Sequence, residues 1–204
     1  MSITYVYLNL LRDAPRTRFV NSVKAQYPEI KVEPAIDLEC GQKLINFLEY
    51  LDKEKIYISK KRDPRSYSDP HSVKFFSSKI SILASYLNVL KKYENSDYLV
   101  IIQDDAYFDK DFFNEINNLI NSNYITKEIP SARLGQYLSG AIFKKNFYNL
   151  LFKELKNTGI VRPLDHTLIG LPPCKKIMQN CKQKIIHVHN FKSNVGPPPP
   201  GWVD

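Results

Sequence analysis

Two adjacent carboxylates, Asp104 and Asp105, follow YLVII at residues 98–102, the most strand-like segment of the chain. A short unbroken apolar run of this kind reads as a central parallel strand covered on both faces. In open α/β sheets, ligands bind beyond the carboxyl ends of such strands. Neighbouring carboxylates repel, so a pair in that place needs a cation or hydrogen-bond donors to hold both charges. Oxygen ligands suit Mg2+ or Mn2+, and these ions commonly share a site with substrate phosphates. The same dipeptide at a strand end can instead cap the next turn, and placement alone leaves both readings open.

The elements that must position such a pair follow from periodicity. Residues 3–8 (ITYVYL) are β-branched and aromatic and read as a buried strand. Asp13 can cap a helix that has Pro15 in its first turn and runs to about residue 26, before Pro28 stops it. Residues 30–34 form a second extended piece, and a helical stripe follows Gly41 over 44–51. Residues 53–77 are charged and aperiodic and read as a long loop, either a lid that excludes water or an insertion. Helical spacing returns over 78–93, 111–120 and 145–156, with further strands predicted at 137–143 and 185–188. Strands alternating with helices give an α/β class with a mostly parallel central sheet flanked by helices. Residues 1–195 form the expected single domain. The PPPPGWVD end, within 196–204, reads as a proline-rich tail or a linker to further domains.

Composition narrows the class. The chain has 204 residues, 43% of them hydrophobic and 25% charged, which is ordinary for a globular protein and excludes a disordered or fibrous one. No apolar run approaches 18 residues, so no spanning helix is expected, and no signal peptide is visible. Three cysteines, Cys40, Cys174 and Cys181, are too few and of the wrong parity for a disulfide framework. Reduced thiols and a cytoplasmic location are the expectation. The net charge is +8, attractive to nucleic acid, anionic membranes or phosphorylated small molecules alike. Against that background, residues 104–115 form an acidic island with five acids and one lysine.

The order of motifs resembles the family 25 glycosyltransferases, the lipopolysaccharide-glycosyltransferase and procollagen-galactosyltransferase group. YVYLNLLRDAPR matches that family's first strand and turn, with Asn9, Leu10, Arg12 and Arg16 at the positions its pattern requires. PAID at 34–37 resembles its nucleotide-pocket segment, SSKISILASYLNVL its GE-x-GC-x-x-SH helix, and YLVIIQDD its strand ending in Glu-Asp-Asp. LGQYLSGAIFKKN, RPLDH and FKSNVG follow in the family's order. The likeness spans nearly the whole chain apart from 53–77 and the tail. Gln103 replaces the family's first acid, Lys79 stands where it has an acid, and Tyr86 where it has histidine.

The resemblance implies a GT-A-like nucleotide-sugar-binding fold and a metal-dependent transferase. That enzyme would move a hexose, with inversion, from a nucleoside-diphosphate sugar (UDP favoured) to a hydroxyl of a glycan or glycoprotein. On this reading Asp105 binds Mn2+ or Mg2+, whose Lewis acidity stabilises the departing diphosphate. His189, favoured over His187 because it leads into NFKSNVG, adds an imidazole ligand. Asn9, Arg12, Asp37 and Asp104 surround the donor nucleotide. Lys79, at the start of its predicted helix, pairs with the diphosphate where backbone N–H groups also favour anions. Asp165 is the candidate base, or else the N-cap of the short helix that follows it. Two other classes use the same residues. One is a basic nucleic-acid module, disfavoured because the aromatics fall at core spacing and no nucleic-acid motif appears. The other is a phosphoryl or nucleotidyl transferase, which would want ligands for a second metal beyond Asp109 and Asp111.

Overall fold

The computed structural model describes residues 1–37, 41–58, 70–136, 138–160, 164–170, 174–181 and 184–188. Its centre is a six-stranded sheet in the order β2-β1-β3-β6-β5-β7. The strands are β1 (Ile3–Asn9), β2 (Lys31–Pro34), β3 (Tyr98–Gln103), β5 (Ser131–Arg133), β6 (Gly140–Lys144) and β7 (Gln179–Asn180). β2, β1 and β3 pair in parallel, β6 runs against β3 and β5, and β7 is parallel to β5. Only β6 opposes the common direction, so the sheet is mostly parallel, as the alternation of elements implies.

Both faces of the sheet are buried. Val6, Leu8, Leu99, Ile101, Ala141 and Phe143 pack with α3 (Pro70–Lys92), α5 (Phe147–Thr158) and α6 (Leu164–Leu168). Tyr5, Tyr7, Val100, Ile102 and Ile142 pack on the other side with α1 (Ala14–Gln26) and α4 (Phe112–Asn121). That second layer includes a two-stranded antiparallel ribbon of β4 (Ala106–Phe108) and β8 (Ile186–Val188). Strand alternation places successive side chains on opposite faces, which is why β1 and β3 read as unbroken apolar runs. In α4 the buried residues Phe112, Ile116 and Ile120 recur every four positions, a single stripe at helical spacing.

α2 (Gly41–Lys53) and α3 join β2 to β3. α3 begins at Pro70, eight residues before the helix the periodicity predicts, so the expected loop at 53–77 is shorter, and its residues 59–69 lie outside the described residues. Leaving α3, Lys92 and Tyr93 both hydrogen-bond the buried carboxylate of Glu33, Lys92 at 2.7 Å, and so pin the end of the helix to the edge strand β2. The tail at 196–204 and Cys40 also lie outside the described residues. Among the described residues no helix is long and apolar enough to cross a membrane.

Candidate active site

The chain leaves β1, returns beside it as β2, and then crosses to the opposite side of β1 as β3. Loops after β1 and β3 therefore diverge, and the crevice between their carboxyl ends is the topological switch point at which open α/β sheets bind ligands. Leu8 pairs with Gln103 at this edge. One residue further on, the buried carboxylate of Asp104 spans the crevice. Its Oδ2 accepts the Leu10 N–H at 2.7 Å, and its Oδ1 accepts from Arg16 Nη1 at 2.9 Å. The tip of β1 is thereby tied to the tip of β3.

Arg16 is the centre of the charge cluster. Its side chain is 9% exposed, its Nη1 lies 3.5 Å from Asp105 Oδ2, and its Nε lies 3.2 Å from Asp13 Oδ2. Asp13 also caps α1, accepting the Arg16 N–H at 3.1 Å. Three carboxylates thus meet one guanidinium in this cluster. At its rim Arg12 and Asp37 form an ion pair at 3.2 Å, with Arg12 43% exposed. Asn9 is buried at the end of β1, its Oδ1 accepting from the Thr17 hydroxyl and its C=O accepting the Ala35 N–H. That last bond brings the PAID segment against β1.

Two tyrosines underlie the acids. Tyr7 donates to the Ala106 carbonyl at 2.9 Å and Tyr86 to the Leu138 carbonyl at 2.9 Å. Burial raises both phenols well above their ordinary value, and the negative charge of Asp105 raises them further. Gln103 hydrogen-bonds the Tyr86 hydroxyl, while Asp165 adds a second negative charge near it. Two of the three positions that depart from the pattern of the resembled family, 86 and 103, are therefore bonded to each other.

Asn9, Arg12, Asp37, Asp104 and Asp105 are brought to one edge of the sheet. Asp104 is buried and engaged on both oxygens, so it positions the strand tips rather than offering itself to a ligand. Asp165 sits in the first turn of α6 and is not the cap of a later helix. Lys79 needs correction. It lies nine residues into α3, not at its start, so free N–H groups of a helix terminus do not assist it. It borders a small cavity with Leu164 and Thr167 instead. His189 lies outside the described residues. His187 packs its ring, tilted, against Tyr107 and sits 3.7 Å from Asp109 Oδ2, on the ribbon beside the crevice. Arg16 was legible as a match to the family's turn but not as the hub of the site. A signal was present: a cation in the first turn of a helix opposes the macrodipole, so it calls for acidic partners.

The donor set fits a hard divalent cation in part. Asp105 offers carboxylate chemistry, Asp104 is committed to Leu10 and Arg16, and among the described residues no three His, Cys, Asp or Glu side chains group to hold a metal ion. Cys174 and Cys181 are free thiols.

No protein-family model matches the chain, and no curated protein matches it in sequence. Among solved structures it is similar to a glycosyltransferase involved in the glycosylation of the major capsid of PBCV-1. The TM-score is 0.43 at 11% identity, over 89% of this chain and 81% of that one. A likeness so distant assigns neither activity nor residues.

Proposed function

We propose that this chain is a glycosyltransferase that binds a nucleoside-diphosphate sugar, UDP-linked by preference, over the carboxyl ends of β1, β2 and β3. The observation that carries the reading is the acid pair at the switch point, with Asn9, Arg16 and the Arg12–Asp37 pair gathered around it from separate stretches of sequence. The Arg12–Asp37 pair at the rim would meet the base and ribose, with buried Asn9 holding the PAID segment against β1 beneath it. Arg16, held between Asp104 and Asp105, keeps the two carboxylates close without full mutual repulsion.

Asp165, in the first turn of α6, takes the proton of an acceptor hydroxyl on a glycan or glycoprotein. The freed oxygen forms a bond to the anomeric carbon while the bond from that carbon to the diphosphate breaks on the opposite face. The configuration therefore inverts, and the nucleoside diphosphate leaves with the electron pair. Asp105 and His189 are the residues that would hold Mn2+ or Mg2+, and that ion supplies Lewis-acid stabilisation of the leaving charge. The fold reading that goes with this is GT-A-like.

The test is thermal stabilisation by UDP or GDP with Mn2+, together with a screen of nucleotide sugars for slow, metal-dependent hydrolysis. The expected result is stabilisation that Asp105→Ala abolishes, and release of nucleoside diphosphate rather than pyrophosphate. No stabilisation by any nucleoside diphosphate under any metal condition overturns catalysis and leaves only the fold.

A further inference from the structure

The same edge of the sheet carries a second built cavity. A cleft of about 290 Å³ opens at the carboxyl ends of β5 and β7, bordered by Arg133, Leu134, Gln136, Asn180, Cys181 and Lys184. Arg133 is the last residue of β5 and faces Ala141, which in turn faces Ile101 of β3. Two strand spacings, about 10 Å, therefore separate the cleft from the strand that ends in the acid pair.

Its walls are fixed by main-chain bonds. The Cys181 N–H donates to the Arg133 carbonyl at 3.0 Å and the Ile185 N–H to the Leu134 carbonyl at 2.8 Å. The Tyr124 hydroxyl holds the Asn180 carbonyl from outside. Among the described residues no acid borders the cleft, and Arg133 and Lys184 give it two positive charges. Burial pushes the Cys181 thiol up to about 11, so it stays neutral and cancels neither charge. Arg133 borders the cleft while its Nε–H is enclosed and, among the described residues, has no acceptor, so a ligand would meet the guanidinium through its terminal N–H groups. A guanidinium favours planar oxyanions, which it can meet with two parallel hydrogen bonds. The volume lies at the small end of the range for ligand sites, suited to one sugar ring.

We propose that this cleft binds an anionic sugar through its carboxylate or phosphate, held by Arg133 and Lys184, with Asn180 and Gln136 left to its hydroxyls. That this sugar is the acceptor rests on the transferase reading; the binding itself does not.

The experiment is calorimetric titration of the full chain with glucuronate, glucose 6-phosphate, glucose and inorganic phosphate. Both charged sugars are expected to bind and glucose not to bind. Of the two, the tighter identifies the acid group as carboxylate or phosphate. Arg133→Gln should weaken binding by about tenfold or more, the loss of a charge-assisted hydrogen bond, and Arg133→Lys should restore part of it. Lys184→Glu, at an exposed position that folding tolerates, should reduce binding at least as far, which keeps the test valid if Arg133→Gln fails to fold. Equal binding of glucose and glucuronate, or affinities unchanged in the Arg133 and Lys184 variants, overturns the proposal. Inorganic phosphate binding as tightly as both sugars overturns its sugar part. Charged-sugar binding that persists when no nucleoside diphosphate binds defeats the transferase reading alone; the reverse pattern defeats this one alone.

Discussion

Arg16 places a positive charge in the first turn of α1, where the helix dipole is itself positive. What offsets this is Asp13, Asp104 and Asp105 around one guanidinium that is 9% exposed. Removing one partner from a buried ion cluster leaves uncompensated charge, at a cost of about 3–5 kcal/mol. Arg16→Met is therefore expected to lose that much in urea unfolding. Asp104→Asn, which keeps an acceptor for the Leu10 N–H, should lose only about 1–2 kcal/mol. If Arg16→Met unfolds at the wild-type denaturant concentration, the carboxylates do not depend on it. Glu33 gives a pH-dependent counterpart. Burial alone would raise its carboxyl, but hydrogen bonds from Lys92 and Tyr93, with the charges of Lys92 and Lys31, outweigh burial and hold it below the ordinary glutamate value. A depressed carboxyl contributes stability that is fully present above its unfolded value, about pH 4.3, and lost as pH falls through the lower folded value. Glu33→Gln should accordingly flatten the acid limb of the stability–pH curve below about pH 4.3 while leaving its shape near neutrality. At this scale the sequence made Asp104 and Asp105 visible because they end an unmistakable strand. It did not show that Asp104 is engaged on both oxygens, because Leu10 and Arg16 lie some ninety residues away and only the parallel pairing of β1 with β3 brings them near.

Between elements, the critical junction is where the β4–β8 ribbon meets the main sheet. Gly135, in the turn from β5 to β6, backs onto the Ile186 carbonyl of β8. A Cβ there would lie 2.6 Å from that oxygen and 2.6 Å from Ser139 Oγ. Backbone must shift to admit it, so Gly135→Ala should cost roughly 1–3 kcal/mol. At roughly 2–4 °C per kcal/mol for a chain of this size, the melting temperature should fall visibly, and amide exchange at β8 should rise before exchange at β1. Unchanged melting and β8 protection would show that the ribbon moves freely against the sheet. This ribbon could not be read from sequence. Its strand β8 falls within the strand expected at 185–188, but β4, like β5 and β7, is only two or three residues long, too short for an alternating pattern to declare itself. By contrast β1, β3, α1 and α4 were legible within a residue or two, since each carries either a continuous apolar run or a capped apolar stripe. The first two turns of α3 were missed for a different reason. They follow a charged, proline-containing stretch, and their sequence alone does not separate the start of a helix from the end of a loop.

For the molecule as a whole, the decisive feature is that one sheet serves two cores. β1, β3 and β6 send alternate side chains to opposite faces, so neither helical layer has a core of its own: each is completed by the same three strands. Leu151 of α5 and Ile116 of α4 are both fully buried, one on each face. Truncating either to alanine leaves a cavity and should cost about 2–5 kcal/mol. If the layers were independent, Leu151→Ala would detach α5 while β1 and α4 kept their protection, and unfolding would split into two steps. A shared sheet forbids that, because losing one cover exposes strands whose other face is still apolar and whose hydrogen bonds then open to water. Each variant should therefore unfold in a single transition, with far-UV circular dichroism and amide exchange in β1 reporting the same midpoint. Since the two sites share no partner across the sheet, the double variant should sum the single losses to within about 0.5 kcal/mol. A biphasic transition in Leu151→Ala, with β1 amides protected through its first phase, would mean that the α5 face is a separable layer. The acid pair at the strand tips could then survive its loss.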